Sequence, residues 1–437
     1  MGASAASSTA ATPAPQTQAT VTPLRARGRP SGSAGATSAT PLLWRPLASY
    51  YLLVGATALL VCFGLVMVWS SSYVESTKVS FAIVEKQALW VGLGLPLLIV
   101  ASRAPVRAFR LLAYPALVGS TVLLVAVLVP GLGVSANGAT RWLDFGGPFT
   151  IQPSEFAKLG LLLWGADLLA RKHRHRTFDS YRHILIPLAP VAVVVLALIE
   201  KEHDLGTSMV IITIVLALLW FAGAPGRLFG LVTIGVGIGV TLLTITKPWR
   251  MQRLLDFSHP FKDLQHSGWQ GGQGIYALGS GGWWGVGLGG SREKWGYLPE
   301  AHSDFIFAII GEELGLVGTI AVLLLFAVLA YAGIRVAQRS RDMFSRLAAS
   351  AVVAWLMVQA LVNIGAVIGL LPITGIPLPL ISAGGSSLIL TMFALGMLMS
   401  LARHEPGAAA AIAAHGPNRI RRSVLRIAAT IRPRRGR

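Results

Sequence analysis

The chain has 437 residues, 54% of them hydrophobic and 13% charged, with a formal net charge of +19 and a mean hydropathy of +0.64. That balance excludes an ordinary soluble domain, and the concentration of Lys and Arg in tails and short loops excludes nucleic acid as the target. The single cysteine, Cys62, excludes an intrachain disulfide and a cysteine metal cluster.

The composition fits an all-α polytopic membrane protein, because apolar runs of about 20 residues recur and each can cross a hydrocarbon layer of roughly 30 Å. Residues 1–47 are rich in Ala, Thr, Ser and Pro and carry only Arg25, Arg27, Arg29 and Arg45 as charges, so they read as a disordered cytoplasmic arm. The arm is not a cleavable signal, since the first apolar run starts near Ser49. A transmembrane domain over 48–403 follows, with about ten spans expected at 49–70, 82–101, 109–130, 153–170, 183–199, 206–223, 228–246, 304–334, 347–371 and 383–402. Residues 404–437 form a basic cytoplasmic tail suited to anionic lipid headgroups.

Orientation follows from basic residues in alternate loops. Arg103, Arg107 and Arg110 lie after span two, Arg171, Lys172, Arg174, Arg176 and Arg182 after span four, Arg227 after span six, and Arg335, Arg339, Arg341 and Arg346 after span eight. These segments and both termini are expected in the cytoplasm, which leaves the large loop 247–303, between spans seven and eight, outside.

Span four opens Gln152-Pro-Ser-Glu-Phe-Ala-Lys158. Pro153 suits a first helical turn, and Glu155 and Lys158, three apart, share one face. Each is costly in a membrane span if left alone. They form either a structural ion pair or a site in which Lys158 meets an anionic headgroup and Glu155 orients it. Asp204-Leu-Gly-Thr-Ser208 reads as the start of span six.

The outer loop begins with Lys247 and carries Arg250 and Arg253, then passes through a glycine-rich stretch to Gly290. Gly285, Gly287 and Gly290 have dinucleotide-fingerprint spacing, but no strand precedes them, so no organic cofactor is expected. The loop is either a lid, with Trp283, Trp284 and Trp295 stacking on sugars and Arg250 and Arg253 holding phosphate, or an interfacial aromatic belt.

At the junction with span eight stand Glu300, His302, Ser303 and Asp304, followed by Glu312 and Glu313. One reading is helix capping, with Ser303 as the N-cap. The other gives Asp304 proton chemistry at the outer face, with Glu300 or His302 assisting. Between spans nine and ten, Leu371–Ser387 alternates prolines, glycines and hydroxyls. Such broken backbone is tolerated at membrane depth only where protein or a water-filled cavity covers it, so Ser382 and Ser386 are candidate cavity-lining substrate ligands.

Taken together, Gln152–Lys158, Asp204–Thr207, Leu298–Phe307 with Gly311–Gly315, and Thr374–Ser387 resemble the signatures of the SEDS family (FtsW/RodA) of cell-wall proteins, over Leu52 to Arg403. Glu-Ala-His before the aspartate resembles the division member more than the elongation member. The chain departs from the family pattern at His203, where proline is usual, and at Ala383, where tyrosine is common.

The resemblance implies a peptidoglycan glycosyltransferase that polymerises lipid II in the bacterial cytoplasmic membrane at the division septum, with an essential aspartate at Asp304. It also implies a divalent metal (Mg2+ or Mn2+), for which Asp304 and Glu300 are candidate ligands. The implied partners are the nascent glycan strand, a class B penicillin-binding transpeptidase and other divisome membrane proteins. A lipid II flippase and an elongation-type polymerase are the alternative functions, and a non-catalytic division scaffold is a third.

Overall fold

The computed structural model describes residues 47–72, 77–136, 139–147, 149–174, 181–245, 269–408 and 410–411. The described residues belong to one compact unit, Leu42–Arg437. All but Leu47 of the disordered arm expected over 1–47 and nearly all of the basic tail lie outside the described residues, as do Arg250 and Arg253.

The described helices are α1 (Ala48–Ser72), α2 (Thr77–Arg103), α3 (Val106–Val127), α4 (Pro153–Arg174), α5 (Tyr181–Lys201), α6 (Leu205–Phe221), α7 (Gly226–Ile245), α8 (Trp269–Ser280), α9 (Ile306–Arg339), α10 (Met343–Val367) and α11 (Gly385–Arg403). Each expected span falls on a helix. Six of them, α1, α2, α3, α9, α10 and α11, are long and apolar enough to cross a membrane, and α6 and the first part of α7 are shorter apolar helices. α4 carries Glu155, Lys158 and Asp167, yet all three are buried, so these charges face protein rather than lipid.

The helices pair by close approach of small residues. α2 runs along α11, where a Cβ on Gly396 would sit 2.5 Å from the Leu98 carbonyl oxygen. α3 runs along α4, where one on Gly160 would sit 2.8 Å from that of Ala116. Backbones that close are what small-residue helix contacts in membranes achieve. α10 lies centrally, against α4, α6 and α9, and buries Trp355 completely. Glu405, just after α11, pairs with Arg339 at 3.6 Å and lies beside Ser49, so the chain enters and leaves the bundle at one end.

Two features depart from the sequence reading. A small antiparallel sheet, β1 (Gly133–Ala136), β2 (Ala139–Asp144) and β3 (Thr150–Ile151), in that order, fills the connection from α3 to α4, where no element was expected. The second departure is α8, which is helical although the glycine-rich stretch reads as loop. Glycine is a poor helix former in isolation. Here Gly272 and Gly274 are buried, and a Cβ on Gly274 would meet the Phe305 ring at 2.7 Å, so packing overrides propensity.

Candidate active site

Asp304 ends a run of turns ahead of α9 and is partly exposed. The expected N-cap at Ser303 is not formed. Phe305 takes the cap position without a side-chain bond, and the Ser303 hydroxyl donates to Glu300 Oε2 at 2.6 Å. Glu300 has a left-handed backbone, φ 55, and its carbonyl accepts from the amides of Ser303 and Phe305, both at 3.1 Å. This local knot replaces the cap and holds the turn that carries Asp304.

Two distant segments grip the same turn. From α10, Asn363 Nδ2 donates to the carbonyls of Asp304 and Ile376, each at 2.8 Å. From the segment after α10, the Ser382 hydroxyl donates to the Ser303 carbonyl at 2.6 Å and accepts from the Leu378 amide at 2.8 Å, while the Ala383 amide donates to His302 O at 3.0 Å. Gln87 of α2 donates to Ser382 O at 3.3 Å. A Cβ on Gly375, at φ 71, would lie 3.5 Å from Asp304 Oδ2, so the carboxylate rests against backbone of this non-helical segment. The broken backbone expected here is present, from Leu371 to Gly384.

Ser382 is thus a tether rather than an open hydroxyl. Ser386 is buried and accepts from the Gln152 amide at 3.1 Å, so it fastens α11 to the start of α4. Both serines, read from the sequence as candidate substrate ligands, are engaged with main-chain groups here.

Glu155 and Lys158 do form the expected pair, at 2.8 Å. Lys158 is 1% exposed, and its Nζ also donates to Gln359 Oε1 at 3.2 Å and lies 5.1 Å from the centre of the Trp355 ring. Gln359 accepts from Trp355 Nε1 at 2.7 Å and donates to Pro377 O at 3.0 Å. Of the two readings, the ion pair is formed, and these contacts give Lys158 an indirect link to the site. The ammonium is spent on Glu155 and Gln359, and through Gln359 it steadies Pro377, beside the carbonyl that Asn363 holds.

Asp204 caps α6 as expected: Oδ1 accepts from the Thr207 amide at 3.0 Å, and Oδ2 accepts from the Thr207 hydroxyl at 2.7 Å and Gln152 Nε2 at 2.9 Å. His203 before it has φ 59, which proline's ring forbids, so the departure at this position changes the turn. Glu202 is fully buried, and no described group hydrogen-bonds its carboxyl oxygens. Burial, reinforced by nearby Asp204 and opposed by Arg141, pushes its pKa up to about 9. Arg141 on β2 donates to the carbonyls of Glu202, at 3.2 Å, and His203.

The glycine-rich stretch after α8 docks on a break in α9. Gly315 has φ 66 and ψ −161 inside that helix, and the amides of Val286 and Gly287 donate to the Glu312 and Glu313 carbonyls at 2.9 and 3.0 Å. Glu312 accepts from the Ser291 hydroxyl and from the Arg292 amide at 2.8 Å. Glu313 accepts from the Ser70 hydroxyl and pairs with buried Lys294 at 3.1 Å. Trp283, Trp284 and Trp295 are left exposed.

Sequence reasoning missed Gln87, Lys294, Gln359 and Asn363. The last two had a signal: two amide side chains four apart inside an otherwise apolar span lie on one helix face. Glu300 is exposed and His302 partly so, both beside Asp304 in the chain. Among the described residues no group of three or more His, Cys, Asp or Glu could hold a metal. The described fold therefore builds no metal cage of its own.

The family described as cell cycle protein, FtsW, RodA and SpoVE type, matches residues 50–406. A probable peptidoglycan glycosyltransferase FtsW of Mycobacterium tuberculosis is 45% identical over 383 residues, 87% of this chain and 72% of the relative. Stage V sporulation protein E of Bacillus subtilis is 38% identical over 359 residues, 81% of this chain and 97% of the relative. Among solved structures, a chain from a study of how a peptidoglycan synthase complex coordinates polymerization and crosslinking superposes with a TM-score of 0.67 at 30% identity, covering 81% of this chain and 97% of that one. The rod shape determining protein RodA of Thermus thermophilus gives 0.60 at 29% identity, covering 81% and 96%.

Proposed function

The chain belongs to the FtsW, RodA and SpoVE family of cell cycle proteins, and from that footing we propose that it is a peptidoglycan glycosyltransferase with Asp304 as its catalytic base. It polymerises lipid II into glycan strands at the outer face of the cytoplasmic membrane during septal wall synthesis. The observation that carries the assignment of Asp304 is its placement: a partly exposed residue on a turn that α10 and the 371–384 segment both hold by hydrogen bonds. A base held this way loses little freedom when a substrate arrives, which is what orientation contributes to catalysis.

The donor sugar is α-linked to undecaprenyl pyrophosphate and the product link is β-1,4, so one in-line displacement with inversion suffices. The acceptor 4-hydroxyl oxygen bonds to the donor C1 as the C1–O bond to pyrophosphate breaks. The hydroxyl proton passes to an Asp304 carboxylate oxygen, a contribution on the order of 10² to 10⁴ in rate. Pyrophosphate leaves as an anion and needs no protein acid, so a single carboxylate serves where glycoside hydrolysis uses two. Arg250 and Arg253 are proposed to hold phosphate. A divalent metal, Mg2+ or Mn2+, would be held through Asp304 or Glu300 together with phosphate oxygens, the few-carboxylate pattern typical of Mg2+, and would supply charge neutralisation.

Both termini are proposed to be cytoplasmic, with lipid II, other divisome membrane proteins and a class B penicillin-binding transpeptidase as partners. The synthase-complex likeness supports the last of these. The test is polymerisation of lipid II by purified protein with its transpeptidase. Asp304→Asn is expected to abolish polymer while retaining lipid II binding, and polymer at the wild-type rate would reject the base. Lipid II flipping in vesicles without any polymer would favour transport instead.

A further inference from the structure

At the end of the bundle opposite Asp304, a cavity of about 560 Å³ opens between α6, α9 and α10. Phe221, Ile334, Gln338, Arg346, Val353 and Met357 line it. Val353 is buried in its floor, while Phe221 and Ile334 stand exposed at its rim. We propose that this cavity is a binding site for one anionic phospholipid, with an acyl chain in the apolar groove and the headgroup phosphate on Arg346.

Three observations support that occupant. The first is charge. Every carboxylate near this end that the structure pairs is paired with another arginine: Asp167 with Arg110 and Arg171, Asp342 with Arg110, and Glu405 with Arg339. Among the described residues no carboxylate pairs with the exposed Arg346 guanidinium, which is therefore available to an external anion. The second is polarity. The walls below Arg346 are apolar apart from Gln338 and the Ser350 hydroxyl, and that hydroxyl donates to the Arg346 carbonyl at 2.8 Å. A free phosphate would gain nothing from such walls, whereas an acyl chain would be covered by them.

The third is depth. From Arg346 to Met357 the groove follows α10 for eleven residues, or about 16 Å at 1.5 Å per residue. That is one leaflet of a roughly 30 Å hydrocarbon layer. A partner's transmembrane helix would call for a groove twice as long. Behind the floor, α9 and α10 close up, since a Cβ on Gly333 would lie 2.3 Å from Val353 Cγ2.

The full-length protein in mild detergent, titrated with phosphatidylglycerol or phosphatidylcholine and read by native mass spectrometry, tests the proposal. The wild type is expected to hold one phosphatidylglycerol with about five-fold preference, the factor that about 1 kcal/mol per basic residue represents. Arg346→Gln changes an exposed head and should erase the preference. Ala354→Trp fills the groove and should displace both lipids. Equal retention of the two lipids by the wild type, or unchanged phosphatidylglycerol binding in both variants, would overturn it. So would a photo-crosslinker at Ala354 that captures the transpeptidase's membrane helix in place of lipid.

Discussion

One side-chain nitrogen of Asn363 donates to the main-chain carbonyls of both Asp304 and Ile376, each at 2.8 Å, and so ties the proposed base to the non-helical segment through α10. Asn363→Ala leaves two carbonyls short of a donor and frees the turn, at about 1 kcal/mol per lost hydrogen bond. A misplacement of about 1 Å can cost 10² in rate. Polymerisation kcat is expected to fall 10- to 100-fold with lipid II affinity unchanged, as steady-state assays would show. An equal loss in binding would mean that Asn363 contacts substrate rather than positioning Asp304.

The buried pair makes a second prediction. Lys158→Met strands the Glu155 carboxylate in a dry interior, a loss of about 3–5 kcal/mol, whereas removing both charges is close to neutral. Thermal unfolding in detergent should show the single variant strongly destabilised and Glu155→Gln/Lys158→Met nearly restored. Because Gln359 keeps its bonds to Trp355 and Pro377 without Lys158, the double variant should also recover polymerisation to within about tenfold, rates being tenfold per 1.4 kcal/mol. A stable double variant without activity would return Lys158 to the substrate.

Gly285 offers a third. Its φ is 78, and a Cβ there would lie 2.2 Å from the Glu313 carbonyl oxygen, so both strain and a backbone clash meet any side chain. Gly285→Ala should release the stretch from the break at Gly315. The expected readout is faster limited proteolysis between Gly281 and Gly290 than in the wild type. Gly279→Ala, where a Cβ meets nothing within 4 Å, should cleave like the wild type.

Glu202 gives the pH dependence. Its folded pKa, near 9, lies above the ordinary 4.5 because burial disfavours the charged form. Between these values the folded state binds more protons than the unfolded state, so its contribution to stability falls as pH rises through the window and is least unfavourable below 4.5. At pH 7 the penalty is on the order of 3 kcal/mol. Glu202→Gln should therefore raise the melting temperature at pH 7 and flatten its decline between pH 5 and 9. Parallel curves for the two proteins would contradict a neutral Glu202.

Much of the bundle was legible because it is written locally. Apolar runs long enough to span a bilayer mark α1 to α3 and α9 to α11 without reference to any partner, and Pro153 and Asp204 mark helix starts from their own chemistry. The weak points were α8 and the sheet. There the local signal is glycine-rich or short, and the deciding force is contact with Phe305 or with a neighbouring strand.

By itself the sequence determined that this chain crosses membranes, that it belongs with cell-wall polymerases, and that Asp304 stands at a helix start among polar turns. Only the tertiary structure decided what the polar residues do. It turned Ser382 and Ser386 into tethers, sealed Lys158 behind Gln359, buried the Glu202 carboxyl with no hydrogen bond among the described residues and joined Lys294 to Glu313. The physical reason is that transfer free energy and helix capping act along the chain. Hydrogen-bond partners and desolvation are set by segments as far apart as Ser303 and Ser382, which only folding brings together.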